Sequence, residues 1–549
     1  MEQASLWTVP ESDTGNKEYK LKLLDDSIQT IDHLTSQMRY RLEEGSGECF
    51  YNIGITDNGE MIGLSPQEYE KTFDILKKVC NKNNYYINLL SKQKIDKEKN
   101  VYEFVVREKN PIKYIDIKVG IGGNVDSGKS SLLGTLISGI PDDGRGLART
   151  HVFNFQHELK SGRTSSIAQH ILGFDFNGNA VNYGDIARKK PWSEIVQKST
   201  KIVTFFDMCG HEKYLKTTIS GITSQRPDLI FILVGANMGI TQMTKEHIFL
   251  CLSLQIPFVV VISKVDICKD RPQILDSTTK EVKQLIKSPG LRRIPYDVRT
   301  KDDIIVCVKN VNTLSTVPIF YVSSLTSEGI DSLRTFLNLY NKKVITEENK
   351  NKIEYHVDQI FHVPGVGNVL GGQFVKGKIK IGDKLIVGPE NNNYYNIQVK
   401  SIHCKRVSVE EVNSGCYVCL AVKKPDDLIL RRGLVVLSQI DSPDQIIEFE
   451  AEIIVMKSHS TTIKVGYQPM LHSNSVRQTC EIVSIRNKQC SRSENMDEIL
   501  RTGDRGIVKF KFKYNPEYIK QGDKALFCEG RTKLIGKIIS VFSEKINVK

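Results

Sequence analysis

No stretch of the 549-residue chain stays apolar for the ~18 positions that a membrane-crossing helix requires. The longest apolar runs, Leu229–Val234 and Phe258–Ile262, have the length of buried strands. Residues Met1–Pro10 lack a basic region followed by an apolar stretch, so no secretory signal is expected. The 12 cysteines are scattered, and their one close pair is Cys416 and Cys419. A zinc ribbon needs a second such pair at suitable spacing, and none exists. Two reduced thiols in a strand are the ordinary reading. Unpaired thiols without a signal segment imply a reducing compartment, and a cytoplasmic location is expected. Internal repeats are also lacking.

What is present is an ordinary globular balance, 40% hydrophobic and 26% charged, in a chain long enough for three to five domains at roughly 100–200 residues each. The net charge of +12 is uneven. Residues 1–112 carry 15 Lys+Arg against 19 Asp+Glu, a net of −4, which leaves +16 for the remainder. Such a surplus suits an RNA partner, or simply a soluble basic surface.

Residues 1–60 are polar and weakly periodic. A helix is expected over 66–80, where Tyr69, Phe73, Leu76 and Cys80 share a face, followed by strands Tyr85–Leu90 and Val101–Val106. This reads as a small αββ module within an extension spanning 1–112. From residue 113 to 345, β-rich runs at Ile115–Ile121, Lys201–Asp207, Leu229–Val234, Phe258–Ile262 and Pro318–Val322 alternate with helix-length segments. That alternation predicts a parallel, helix-covered sheet. Residues 341–352 are charged and read as a linker. Beyond them short strands and Gly, Asn and Pro turns predict two β-barrels, at about 354–440 and 447–545, parted near Asp441–Asp444.

Gly123-Asn124-Val125-Asp126-Ser127-Gly128-Lys129-Ser130 fits G-x-x-x-x-G-K-[ST] between a strand and the apolar helix Ser130–Ile137, which also holds Ser131. Backbone N–H groups of such a loop close around a β-phosphate, and the helix N-terminus adds a positive dipole end. Lys129 should reach the β- and γ-phosphates, and the Ser130 hydroxyl should bind Mg²⁺. Asp207-Met208-Cys209-Gly210 ends the next expected strand. There Asp207 suits Mg²⁺ held through water, and the Gly210 N–H suits the γ-phosphate. His211 follows, placed to orient the attacking water; a histidine packed locally is the bland alternative. Ser263-Lys264-Val265-Asp266 ends the strand after that. A carboxylate at Asp266 accepts from guanine N1–H and N2–H₂, whereas adenine would leave it unpaired. Lys264 should cover the base, and Ser323-Ser324-Leu325 should offer the Ser324 N–H to guanine O6. GTP with Mg²⁺ is the expected ligand, and an enzyme hydrolysing GTP is the expected activity.

In this order and context the motifs resemble the G domain of translational GTPases, and Asp126 with Gly210-His211 resembles the elongation factor Tu group. Phe361–Val369 and Gly377–Asp383 are similar to that group's second domain; Gly466–Pro469, Gly503-Asp504 and Glu529–Thr532 are similar to its third. Within the group the likeness is nearest the GTP-binding protein 1 family, carried by Gly144–Arg149, Ser161–Ser166, Leu172–Asp175 and Gly210–Thr217. The resemblance implies an α/β P-loop GTPase domain followed by two β-barrel domains, with a small N-terminal α+β extension. It implies that Thr164 binds Mg²⁺ and senses the γ-phosphate. It further implies an aminoacyl-tRNA or tRNA-like ligand, a ribosome as activator, no membrane association, and a monomer off the ribosome. Arg531 and Lys533 are the expected RNA contacts, with a solvated basic turn as the alternative. Three residues depart from the pattern. Ser263 replaces Asn, and its shorter hydroxyl predicts a weaker tie between the base and the phosphate loop. Cys209 replaces Pro, predicting a looser second switch. Arg163 replaces an apolar residue that would gate His211 together with Val125. Two rivals share the features: a regulatory GTPase coupled to a partner enzyme, as in bacterial sulfate adenylyltransferase, and a non-catalytic GTP-dependent scaffold for RNA.

Overall fold

The computed structural model describes residues 10–45, 47–96, 98–108, 114–153, 168–183, 190–288, 290–342, 352–439, 444–455, 462–489, 499–529, 532–545 and 547–548. The N-terminal part is richer than the expected αββ unit. Strands β1 (Lys17–Lys20), β2 (Glu48–Ile53), β3 (Tyr85–Lys94) and β4 (Asn100–Glu108) form one sheet in the order β1-β2-β4-β3. Helices α1 (Ile28–Glu44) and α2 (Pro66–Lys82) accompany it, with Leu34, Met38, Leu42, Leu76 and Val79 in a common core. The α2 start is fixed by Pro66 in its first turn and by a capping box: the Ser65 Oγ accepts from the Glu68 N–H, and Glu68 accepts from the Ser65 N–H at 3.0 Å. The segment before α2 reads as polar because its charges are buried in pairs. Glu18 and Glu48 are fully buried on β1 and β2. Arg41 Nε lies 2.7 Å from Glu18, and Arg107 Nε lies 2.5 Å from Glu48.

The second sheet has seven strands: β5 (Ile115–Gly123), β6 (Ala168–Phe174), β7 (Lys201–Asp207), β8 (Leu229–Gly235), β9 (Phe258–Ser263), β10 (Ile294–Asp297) and β11 (Thr316–Val322). Their order is β10-β11-β9-β8-β5-β7-β6, parallel except for the edge strand β6, which runs antiparallel to β7. Two hydrophobic layers, one on each face, bury its Val, Ile and Phe residues. β5 sits between β7 and β8, so the chain departs to opposite sides at its end, where open parallel sheets bind ligands. β6 and β10 were not anticipated; β6 follows a segment with no strand signal, and β10 is only four residues long.

Two closed six-stranded barrels follow. Glu354–Val363, Gly367–Lys376, Lys384–Glu390, Asn393–Cys404, Tyr417–Lys423 and Val435–Ser438 close the first, and Asp444–Val455, Met470–Ser473, Val476–Gln489, Arg505–Phe512, Lys524–Glu529 and Thr532–Lys545 close the second. Both meet the α/β domain through buried polar contacts. Lys405 lies 3.1 Å from Asp116 and also donates to Thr204. Lys118 donates to Gln373 at 3.1 Å, Gln225 donates to Asp358 at 2.9 Å, and Arg226 pairs with Asn474. Helix Leu215–Gln225 therefore packs on Met470–Ser473 and Gly367–Lys376 together.

The N-terminal sheet is clamped to the second one by Glu48. Its carboxylate takes Arg107, Lys201 at 3.3 Å and the Asn341 amide at 2.7 Å, while Lys201 also donates to the Asn338 carbonyl at 2.5 Å. These cations hold the carboxyl below its ordinary range despite burial. Glu48→Ala leaves two buried cations without their carboxylate, and the expected loss is about 3–5 kcal/mol. Denaturant unfolding followed by a probe in residues 10–108 checks it; a loss under about 1 kcal/mol, the scale of an exposed pair, would contradict the clamp.

Candidate nucleotide-binding site

The phosphate loop runs from the end of β5 into helix α3 (Lys129–Ser138). Gly123 has φ +136°, and a Cβ there would fall 2.5 Å from the Leu233 carbonyl oxygen, so only glycine allows the close strand approach. Within the loop, Ser127 Oγ donates to the Asn124 carbonyl at 2.8 Å. Val125 and Ser131 are half-buried, whereas Asp126 is exposed with φ 62°. Lys129 is buried and donates to the same Asn124 carbonyl at 2.6 Å. Burial lowers its pKa, opposed by Asp207, Cys209 and Asp126. Gly210 presses on this pair: a Cβ would collide with Lys129 Nζ and lie 2.9 Å from the Asn124 oxygen.

Asp207, fully buried at the end of β7, accepts from Ser130 Oγ at 2.9 Å. The hydroxyl and the carboxylate are thus adjacent oxygen donors beside the loop, a pair that suits a hard divalent cation. Thr164 and Arg163 lie outside the described residues, as does Arg531; Lys533 falls on a strand whose side chain is not described. Cys209 is buried, and Thr218 Oγ1 donates to its carbonyl at 3.2 Å, which ties the replaced position to helix Leu215–Gln225. His211 is exposed at the start of a short turn of 3₁₀ helix, Glu212–Tyr214. Its Nδ1 accepts from the Lys213 N–H at 3.1 Å.

The residues expected to read the base assemble from the ends of β9 and β11. Ser323 Oγ donates to Asp266 at 2.5 Å and itself accepts from the Thr326 N–H at 3.1 Å. Lys264 adopts φ 61°, and its side chain lies near Gly128. The Ser324 carbonyl accepts from the Asp142 N–H at 2.8 Å, and Leu325 is exposed beside Gly144. Ser263 makes the loop side of the tie: its Oγ donates to the Ser127 carbonyl at 2.7 Å, joining β9 to the phosphate loop. β9 lies two strands from β5, and the loop folds back to meet it.

One residue escaped the reading of the sequence. His247, buried in helix Gln242–Ser253, accepts the Gly123 N–H on Nδ1 at 2.8 Å. A histidine on the buried face of an amphipathic helix carries no signal of contact with a loop more than a hundred residues earlier.

A glycine loop between strand and helix, a buried aspartate on the neighbouring strand, and a carboxylate two strands away place the protein among P-loop GTPases. The Elongation factor Tu GTP binding domain family matches residues 116–343. GTP-binding protein 2 of Mus musculus is 39% identical over 543 residues, covering 97% of this chain and 88% of the relative. GTP-binding protein 1 of Xenopus laevis is 40% identical over 532 residues, covering 96% and 79%. The crystal structure of bacterial selenocysteine-specific elongation factor EF-Sec superposes with a TM-score of 0.54 at 19% identity, covering 77% of this chain and 58% of that one, a likeness of fold. The chain belongs to the GTP-binding protein 1 and 2 family of elongation-factor-Tu-type translational GTPases. It hydrolyses GTP and uses Mg²⁺. The glycine-lined loop and the Ser130–Asp207 oxygen pair fit both ligands.

Removing the Ser263 hydroxyl should strip the Ser127 carbonyl of a buried donor, at about 1–3 kcal/mol. Ser263→Ala is therefore expected to weaken GDP binding by roughly tenfold or more, measured by titration with a fluorescent guanine nucleotide. Unchanged affinity would mean the contact does not hold the loop. Asp266→Asn should lose GTP affinity and gain it for xanthosine triphosphate, whose C2 oxygen accepts where guanine donates; competition binding reads the switch.

Proposed function

We propose that this protein is an elongation-factor-like GTPase that carries an aminoacyl-tRNA or tRNA-like ligand and hydrolyses GTP on the ribosome, in translation or in ribosome or mRNA surveillance. The observation that carries the reading is the helix Leu215–Gln225. It begins just after Gly210-His211 and packs on both barrels at once, so any change at the γ-phosphate side of the loop is communicated to both. The +16 surplus beyond residue 112 supports a phosphate-rich partner.

In this reading the division near residues 112, 345 and 440 separates extension, G domain and barrels. Gly123–Ser131 cradles the phosphates, and Lys129 neutralises charge between the β- and γ-groups. Ser130, Asp207 and Thr164 would hold Mg²⁺, which would neutralise charge on the phosphate oxygens. Ser263, Lys264, Asp266 and Ser323–Leu325 read guanine. Gly210 offers its N–H to the γ-phosphate. His211 positions the attacking water; with Nδ1 engaged by Lys213, Nε2 is the nitrogen for that role. Loss of the γ-phosphate removes the acceptor of the Gly210 N–H and lets helix Leu215–Gln225 shift against the barrels. The protein acts in the cytoplasm as a monomer when off the ribosome; among the described residues no helix is long and apolar enough to cross a membrane.

Co-sedimentation with purified ribosomes, in a non-hydrolysable GTP analogue against GDP, tests the proposal. Binding should favour the analogue and fall steeply with salt, and ribosomes should accelerate a slow basal hydrolysis. His211→Ala should bind GTP normally and lose on the order of 10²-fold of the stimulated rate. Equal pelleting in both nucleotides with no stimulation would favour a partner-enzyme or scaffold role.

A further inference from the structure

At the foot of the second sheet, a cavity of about 1200 Å³ lies between the N-terminal sheet, the α/β domain and the first barrel, lined among others by Phe50, Leu90, Tyr114, Asp116, Cys404 and Cys416. None of these residues belongs to the nucleotide site. Cys404 ends the strand Asn393–Cys404, and Cys416 directly precedes its neighbour Tyr417–Lys423. The ladder pairs Cys404 with Val418, so Cys416, two residues earlier, falls on the Cys404 side of the sheet. The two side chains lie close enough that each shifts the other's titration, and Cys404 Sγ lies 3.9 Å from the Tyr417 carbonyl oxygen. Tyr114 Oη lies 3.4 Å from Cys404 Sγ, and the Lys405 ammonium is a further neighbour.

We propose that Cys404 and Cys416 form a reactive dithiol that a small hydroperoxide, entering through this cavity, closes to a disulfide.

Cys404 is the attacking sulfur. The neighbouring Cys416 thiol and the Lys405 ammonium draw its pKa down to about 7 against burial and the Asp116 carboxylate, while that of Cys416 rises. A thiolate at neutral pH is the nucleophilic form. Burial instead pushes up Cys251, Cys307 and Cys480, which keeps them as thiols. In the first step the Cys404 sulfur attacks the terminal oxygen of the hydroperoxide. An S–O bond forms, the O–O bond breaks, and the leaving alkoxide takes a proton from water to depart as the alcohol or, from hydrogen peroxide, as water. In the second step the Cys416 sulfur attacks the Cys404 sulfur; the S–S bond forms at about 2.05 Å, and hydroxide leaves with the Cys416 proton as water. Overall two thiols are oxidised and one peroxide is reduced. The bond would fasten the end of strand Asn393–Cys404 next to Lys405, the residue that holds the barrel on Asp116 and Thr204.

The test treats the full-length protein with graded hydrogen peroxide, then maps thiols by isotope-coded alkylation and non-reducing peptide analysis. The linked Cys404–Cys416 peptide should reach half-conversion at a dose on the order of tenfold below that of any other cysteine, and dithiothreitol should reverse it. Cys416→Ser removes the resolving thiol, so Cys404 should then accumulate as a sulfenic acid trapped by dimedone. Cys404→Ser should leave Cys416 unreacted at the same dose. GDP binding, monitored throughout, should match the parent protein, since neither thiol is in the nucleotide site; it also reports that each variant is folded. Earlier oxidation of another cysteine, the absence of the linked peptide, or no dimedone adduct in folded Cys416→Ser would overturn the proposal.

Discussion

The contact on which the site depends is a buried ammonium resting on a carbonyl. Lys129 is removed from water by the loop that surrounds it, and Asn124 offers it one neutral oxygen at 2.6 Å. Desolvation disfavours the charged form, and its nearby carboxylates only partly compensate. In the proposed function, a phosphate anion between Lys129 and the loop N–H groups would supply what is missing. The same spot is where Gly210 abuts the loop, so the group that neutralises Lys129 is also the one that sets the position of the second switch.

Around that contact the fold uses buried charge as its fastening. Glu48 joins the N-terminal sheet to β7, Lys405 joins the first barrel to β5 and β7, and Arg431 joins the two barrels by taking Glu390 at 2.6 Å and Glu517 at 2.9 Å. Each is expensive to desolvate and worse to break, since removing one member strands the others. This makes the interfaces specific in register rather than merely sticky. β7 takes part in two of the three, through Lys201 in the Glu48 clamp and Thr204 beneath Lys405, and its last residue, Asp207, meets Ser130.

The nucleotide site was legible because its chemistry sits at strand ends. The apolar runs that became β5, β7, β8, β9 and β11 were visible as runs, and each motif followed one of them directly. Strand ends moved by one or two residues, as at Ser263, which belongs to β9. What escaped was written in long-range contacts. β1, α1 and β2 lie in a segment that reads as polar and weakly periodic, because Glu18, Arg41 and Glu48 appear as surface charges until their partners are seen. The Ser263–Ser127 bond depends on the loop folding toward β9, and the His247–Gly123 bond on a helix crossing beneath it. Hydrophobic periodicity carries no record of any of these, since it reports which face of an element is buried and not what lies opposite.

The most direct measurement of the account is proton uptake on nucleotide binding. GDP titrations by calorimetry, at several pH values below the ordinary lysine value of about 10.4, would be run in buffers of differing ionisation enthalpy. A lysine whose pKa is depressed in the empty site and restored by a phosphate anion takes up protons as GDP binds, and affinity falls as pH rises through the depressed value. Proton uptake should be greater in the parent protein than in Lys129→Met, whose remaining linkage reports the guanine N1–H alone. Binding with no proton linkage in the parent protein, or with the same linkage in Lys129→Met, would contradict it.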